Sequence, residues 1–228
     1  MTVEQGLKVN FFRGLGRGYL RRRYSVLFYS LIVTMAAGPV FAAIGVRDEF
    51  IELFLALNLI AAVVPVGVGN KRRLLLLIFF SAWFIRVSTH LFAETALSSA
   101  SLMTWTIVAL FAAARALGFA MRAVSVKTEH LYAALSAYLL AGIFFGLLYW
   151  AIEQISPGTF SGASEFSLNG AIYFSFVTLA TLGYGDIAPR TEVARGLAIV
   201  EGVGGQLFLV VLVARLVSLY GREKRTHD

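Results

Sequence analysis

Thr181, Leu182, Gly183, Tyr184, Gly185 and Asp186 are consecutive residues whose chemistry is carried by the main chain. Two glycines flank a tyrosine, and glycine takes backbone conformations that let successive carbonyl oxygens aim the same way. Stacked carbonyl dipoles, with a threonine hydroxyl at one end, form an all-oxygen ligand set for a cation stripped of its water. Competing side-chain chemistry is absent. The chain has no cysteine, which excludes disulfides and thiolate metal sites. His90, His130 and His227 lie far apart and show no metal-ligand spacing. A membrane-embedded enzyme needs His, Asp or Glu clustered at matched depth, and the apolar runs hold no such cluster, so no enzymatic activity and no cofactor is expected.

The elements that position this run are set by composition. Of the 228 residues, 58% are hydrophobic and only 14% charged, against about a quarter charged in soluble domains. The mean hydropathy is +0.76. Six apolar runs, at 24–46, 50–67, 74–91, 102–121, 131–152 and 193–220, meet or approach the roughly 20 residues needed to cross a bilayer. Basic residues mark alternate gaps: Arg13, Arg17 and Arg21 to Arg23 before the first run, Lys71 to Arg73 after the second, Arg122 and Lys127 after the fourth, Arg222 to Arg225 after the sixth. The other gaps carry Asp48, Glu49, Glu94, Glu153 and Glu165. By the positive-inside rule both termini are cytoplasmic and the loop before Thr181 is outside. The net charge of +7 thus sits mostly in short segments between apolar runs, so nucleic acid is not an expected partner; Arg13, Arg17 and Arg21 to Arg23 fit either contact with anionic lipid heads or an ordinary topogenic signal. Basic residues followed by 24–39 and a small-residue stretch also fit a signal peptide, but the apolar run continues to Val46, which favours a retained helix.

Residues 169–190 read NGAIYFSFVTLATLGYGDIAPR. This stretch resembles the pore of the potassium-channel family, in the unbroken order pore helix, filter and outer mouth. The run from Thr181 is, with leucine for valine, the strand by which potassium filters are described. The resemblance extends from about Glu129 to the end of the sixth run. It implies an all-α integral membrane fold of six transmembrane helices plus a re-entrant pore helix and filter, assembled as a homotetramer in the plasma (inner) membrane. The expected divisions are a basic N-terminus at 1–23, a four-helix sensor-like module at 24–128, a pore domain at 129–220 and a cytoplasmic tail at 221–228. K⁺ is the implied permeant ion, held mainly by the carbonyls of Thr181, Leu182, Gly183 and Tyr184. A weakly selective cation channel keeps the same architecture. A potassium transporter subunit of the pore-loop superfamily needs four pore-loop repeats, and the sequence has one.

Within the pore half, 156–167 reads as an extracellular loop, with Ser167 or Asn169 capping a short helix over 168–180. Too short to span, that helix is expected to be re-entrant, its C-terminal partial negative charge favouring a cation below it. Tyr173 and Phe174 stand where relatives carry an aromatic pair, which implies that they brace Tyr184, while Thr178 supports the filter; lipid-facing aromatics are the bland alternative. Val177 stands where some relatives place a carboxylate, so Asp186 is expected to lack that partner, and filter inactivation that depends on the pair is not implied. Gly142 and Gly146 form a small-xxx-small pair for close helix approach. In the sixth run Gly202, Gly204 and Gly205 suggest a gating hinge or close packing. Glu201 and Gln206 are polar groups within it; Glu201 either lines the cavity, bonds behind the filter, or makes a structural hydrogen bond. Arg215 is expected to snorkel.

The fourth run holds Arg115 and, at its border, Arg122, whereas a voltage-sensing helix repeats arginine. Weak or no voltage sensing is therefore expected. Arg86 and Glu52 are a candidate ion pair, with Asn58 adding a hydrogen bond. The gating stimulus is open, and a separate regulatory subunit is unknown.

Overall fold

The computed structural model describes residues 22–43, 57–58, 95–122, 128–162 and 166–225. The second and third expected spans lie outside the described residues, apart from Leu57 and Asn58, and so do Glu52 and Arg86. The chain is largely helical. In order come α1 (Arg23–Ala43), α2 (Thr95–Met121), α3 (Thr128–Ile155), β1 (Phe160–Ser161), α4 (Leu168–Leu179), β2 (Ala188–Pro189) and α5 (Glu192–Arg225). Three helical stretches are long and apolar enough to cross a membrane, Met103–Met121, Thr128–Ile155 and Glu192–Ser218, and Arg23–Ala37 is a shorter apolar helix.

α3 is the centre of the molecule. One buried cluster joins it to α1 and α2, through Leu27 and Leu31 of α1, Trp105, Ala109 and Ala112 of α2, and Ala133, Leu140 and Ile143 of α3. Alanines on the facing surfaces let the helix axes approach closely, since dispersion and not water drives helix association in lipid. The start of α1 is tied to α3 as well. Glu129 accepts from the Tyr24 N–H at 3.1 Å and from the Ser25 hydroxyl. A carboxylate there offsets the partial positive charge of the α1 N-terminus. Asn58 donates to the Thr34 hydroxyl of α1.

α3 is longer than the 131–152 run, because its polar ends are absorbed by caps. At its C-terminal end Glu153 accepts from the Gly158 N–H at 2.7 Å and the Phe160 N–H at 3.1 Å. That clamp folds the following loop back, so that β1 pairs antiparallel with β2, Phe160 opposite Pro189 and Ser161 opposite Ala188. The loop before α4 is thus tied to the chain just after residue 186. α5 likewise begins one residue before the expected run, with Glu192 in its first turn paired to Arg195 at 2.8 Å, and continues to Arg225.

Candidate functional site

The short helix α4 sets the position of everything at the site. Ser167 caps it in extended backbone, its hydroxyl accepting from the Gly170 N–H at 3.1 Å. Its apolar face is buried through Leu168, Ala171, Phe174, Val177 and Leu179. Two glycines of α3 admit it closely: a Cβ on Gly142 would lie 2.5 Å from the Phe176 ring, and one on Gly146 would lie 2.8 Å from the Ile172 Cα. The small-xxx-small pair therefore receives α4. At the far end the Tyr138 hydroxyl donates to the Leu179 carbonyl at 3.1 Å.

Past Ala180 the backbone alternates. Thr181, Gly183 and Gly185 have φ of 58°, 59° and 80°, and Leu182 and Tyr184 between them do not enter the positive region. Alternation of left-handed and ordinary residues turns successive peptide planes to one side, the geometry that in nests lines N–H groups along one edge. The opposite edge then carries carbonyls. The N–H groups face the end of α4: Thr181 N–H donates to the Thr178 carbonyl at 3.0 Å, and Leu182 and Gly183 N–H donate to the Val177 carbonyl at 2.9 and 3.4 Å. With that edge occupied, the carbonyl edge is left for a ligand. All six residues from Thr181 to Asp186 are exposed in the single chain, including the large side chains of Leu182 (55%) and Tyr184 (66%).

Within the single chain, the hydrogen bond and ring contacts of Tyr173 and Phe174 are with Asp186, Tyr149 and Phe160. The Tyr173 hydroxyl donates to Asp186 Oδ2 at 2.8 Å, and Phe174 is buried against Tyr149 and Phe160 at centroid distances of 5.1 and 5.4 Å. The Asp186 hydrogen bond holds the Tyr173 phenol above its ordinary range. With valine at 177, Asp186 is held by the Tyr173 phenol instead of by a carboxylate there, and its other oxygen accepts from the Ile187 N–H at 3.1 Å. Thr178 serves the strand through its carbonyl.

Glu201 is buried (1% exposed), facing away from the exposed surface of α5. Its carboxyl meets the Tyr149 hydroxyl of α3 at 2.6 Å and the Ser175 hydroxyl of α4. Within the chain Glu201 is thus hydrogen-bonded to α3 and α4, on the side of α5 away from its exposed surface. Gln206 lies on the exposed side of α5. α5 runs unbroken through Gly202, Gly204 and Gly205. A Cβ on Gly205 would meet Leu179 at 2.7 Å and on Gly202 would touch the Thr178 carbonyl at 3.8 Å, while Gly204 faces open space. Gly205 thus has a packing reason at this position.

Sequence reasoning missed the Val177 carbonyl, the Glu153 clamp and the Ser175 and Tyr149 hydroxyls. A backbone acceptor leaves no trace in residue type. The hydroxyls carry a signal only in retrospect, as polar groups within apolar helices that must find a partner. Among the described residues no group of three His, Asp or Glu side chains is placed to hold a metal ion.

Comparison with known proteins bears on the same half of the chain. Residues 133–222 match the family model described as "Ion channel". The chain is 46% identical over 80 residues to two-pore potassium channel 4 of Arabidopsis thaliana, covering 35% of this chain and 27% of that protein. It is 33% identical over 89 residues to the inward rectifier potassium channel Kirbac3.1 of Paramagnetospirillum magnetotacticum, covering 37% and 28%. It is 42% identical over 50 residues to a probable potassium channel protein 2 of Methanocaldococcus jannaschii, covering 21% and 15%. The chain therefore spans less than a third of the length of each of these relatives. No solved structure matches it.

Proposed function

We propose, from the premise that this chain belongs to the pore-loop potassium-channel family, that it conducts K⁺ passively and selectively across the plasma membrane as a homotetramer. The observation that carries the reading is the strand from Thr181 to Gly185. The N–H groups of its first three residues, Thr181 to Gly183, are spent on Val177 and Thr178, and in this reading its alternating φ values leave the carbonyls on the other edge. One such strand supplies one quarter of a ring, so four chains around one axis are needed for the carbonyls to replace a hydration shell. Thr181 through Tyr184 provide the ion ligands, Gly183 and Gly185 the backbone shape, and Asp186 the outer mouth. The short apolar helix α4 is re-entrant in this reading, and its exposed C-terminal end directs partial negative charge at a hydrated ion in the cavity.

The remaining architecture follows as part of the same proposal. Six spans carry the chain with both termini in the cytoplasm, four of them forming a sensor-like module that responds weakly or not at all to voltage. Membrane lipid meets the basic ends. Gly202 and Gly204, which face little or no neighbouring structure, retain the hinge role, while Gly205 acts in packing. Gln206 is the polar group of α5 that faces the cavity.

Reversal potentials of the purified, reconstituted protein in opposed K⁺ and Na⁺ gradients test this reading. The expected value lies near the K⁺ equilibrium potential. A reversal potential midway between the two ions identifies the weakly selective alternative, and absence of any current from tetrameric protein overturns the channel assignment.

A further inference from the structure

The buried carboxyl of Glu201 joins three helices at one point. Ser175 Oγ on α4 lies within hydrogen-bond reach of two oxygens at once, the Gly142 carbonyl of α3 at 2.7 Å and Glu201 Oε1 of α5. Tyr149 of α3 reaches Glu201 Oε2 at 2.6 Å. A serine hydroxyl has one proton to give, and a carbonyl oxygen has none. If Glu201 is ionised, one of the two contacts of Ser175 sets lone pair against lone pair. If Glu201 carries a proton on Oε1, every contact has a donor: Glu201 to Ser175, Ser175 to Gly142, and Tyr149 to Glu201 Oε2.

The surroundings agree with that count. Glu201 is 1% exposed, and Ser175 and Tyr149 are fully covered. The titratable groups that face it from α3 are Tyr149 and Tyr138, both neutral phenols, and α4 presents only the Ser175 hydroxyl. The hydroxyls that hold it, on Tyr149 and Ser175, carry no positive charge. A buried carboxylate without a cation is costly, whereas a neutral acid with matched partners is not.

We propose that Glu201 is a positioning residue that works as a neutral acid, donating its proton to Ser175 and so fixing the pore-lining helix α5 to the middle of the pore helix α4. The consequence for conduction runs through α4. Ser175 lies two residues before Val177 and three before Thr178, whose carbonyls hold the N–H edge of the ion-binding strand. Displacement of α5 relative to α4 therefore pulls on the base of the filter, and the Glu201 tie sets their register. Only the conduction readout of this inference rests on the channel reading; the protonation state does not.

The test combines infrared spectroscopy with two variants of the full chain. At neutral pH the reconstituted protein is expected to show a protonated-carboxyl carbonyl stretch that is lost in Glu201→Gln. The amide introduced by that substitution can donate to Ser175 and accept from Tyr149, so Glu201→Gln is expected to keep tetramer thermal stability and K⁺ selectivity close to the parent. Glu201→Ala is expected to lose both. On alkaline titration the parent should lose the band and its thermal stability together, while Glu201→Gln should show no such pH-dependent loss. The proposal is overturned by a spectrum in which Glu201→Gln removes only an ionised-carboxylate band. It is equally overturned if Glu201→Gln fails to assemble, or if Glu201→Ala matches the parent. A protonated band with normal variant behaviour in a protein that passes no K⁺ leaves the neutral tie standing and rejects the channel reading alone.

Discussion

At the scale of single residues, the strand is held against the preferences of its own backbone. Thr181 is the one non-glycine among the described residues with positive φ. A residue with a Cβ held there costs of order 1–3 kcal/mol and persists only where its surroundings over-determine it. Here the N–H bonds of residues 181 to 183 to the end of α4 do so. Gly183 and Gly185 avoid the cost. No atom lies within 4 Å of a Cβ added to Gly183, so the penalty of Gly183→Ala is conformational, of about 1–2 kcal/mol per chain. Relief of that penalty by a flip of the peptide would turn a carbonyl out of the ion-binding edge. Gly183→Ala is therefore expected to abolish K⁺ selectivity or tetramer assembly, read as reversal potential and as native mass. Unchanged selectivity would remove these carbonyls from the ligand set. The glycine positions were legible because residue type reports backbone freedom, whereas the positive φ of Thr181 was not, because nothing in a threonine announces it. The acceptors at Val177 and Thr178 were not, because a carbonyl belongs to every residue.

At the scale of elements, the described helices α1, α2, α3 and α5 were legible from apolar run length, and their ends were not. α3 and α5 overrun their apolar cores because Glu129, Glu153 and Glu192 serve termini and loops, roles that hydropathy reads as breaks. The β1–β2 ribbon was missed for the same reason, since two paired residues per strand follow from the Glu153 clamp and not from alternation. The glycine pair of α3 was legible as a close-packing site, and its partner emerged only with the fold. That partner makes a graded prediction possible. A methyl at Gly142 meets the edge of the Phe176 ring, a side chain that can swing aside, whereas one at Gly146 meets the Ile172 backbone. Overpacking of this kind costs about 1–3 kcal/mol. Gly146→Ala should destabilise the purified protein more than Gly142→Ala in thermal unfolding. Gly196→Ala, in a helix with open space around it, should be neutral or stabilise by up to about 1 kcal/mol. Loss of the Ser167 cap in Ser167→Ala should cost about 1 kcal/mol in the same assay. Equal effects at Gly142 and Gly146 would contradict the packing of α4 into α3.

At the scale of the whole molecule, the apolar surface is unevenly covered. Half of the apolar window of α3 is buried within the chain, but only 11% of that of α5. Val193, Ile199, Val203, Leu207, Val210 and Val217 are exposed around α5, together with Leu182 and Tyr184 beside it. Lipid can cover such side chains, but it cannot satisfy an open row of carbonyls at membrane depth. The proposed fourfold assembly would cover both, so a native mass of four chains is expected, with K⁺ removal lowering the temperature at which the tetramer dissociates. The module formed by α1 and α2 leads to the last prediction. A charge crossing the whole membrane field contributes about 2.3 kcal/mol per 100 mV, and steep sensors use about three to four such charges in each subunit. α2 contains one arginine, Arg115, and Arg122 follows in the turn beyond its end. Arg115 lines a cavity of about 220 Å³ with Arg23 and Arg122, at the basic end that the positive-inside rule assigns to the cytoplasm. An arginine near its own aqueous boundary has little of the field to cross. Currents from the reconstituted channel are therefore expected to vary shallowly with voltage, and Arg115→Gln to leave that slope unchanged. Steep sigmoidal activation that flattens in Arg115→Gln would show a sensing helix where the charge pattern argues for a structural one.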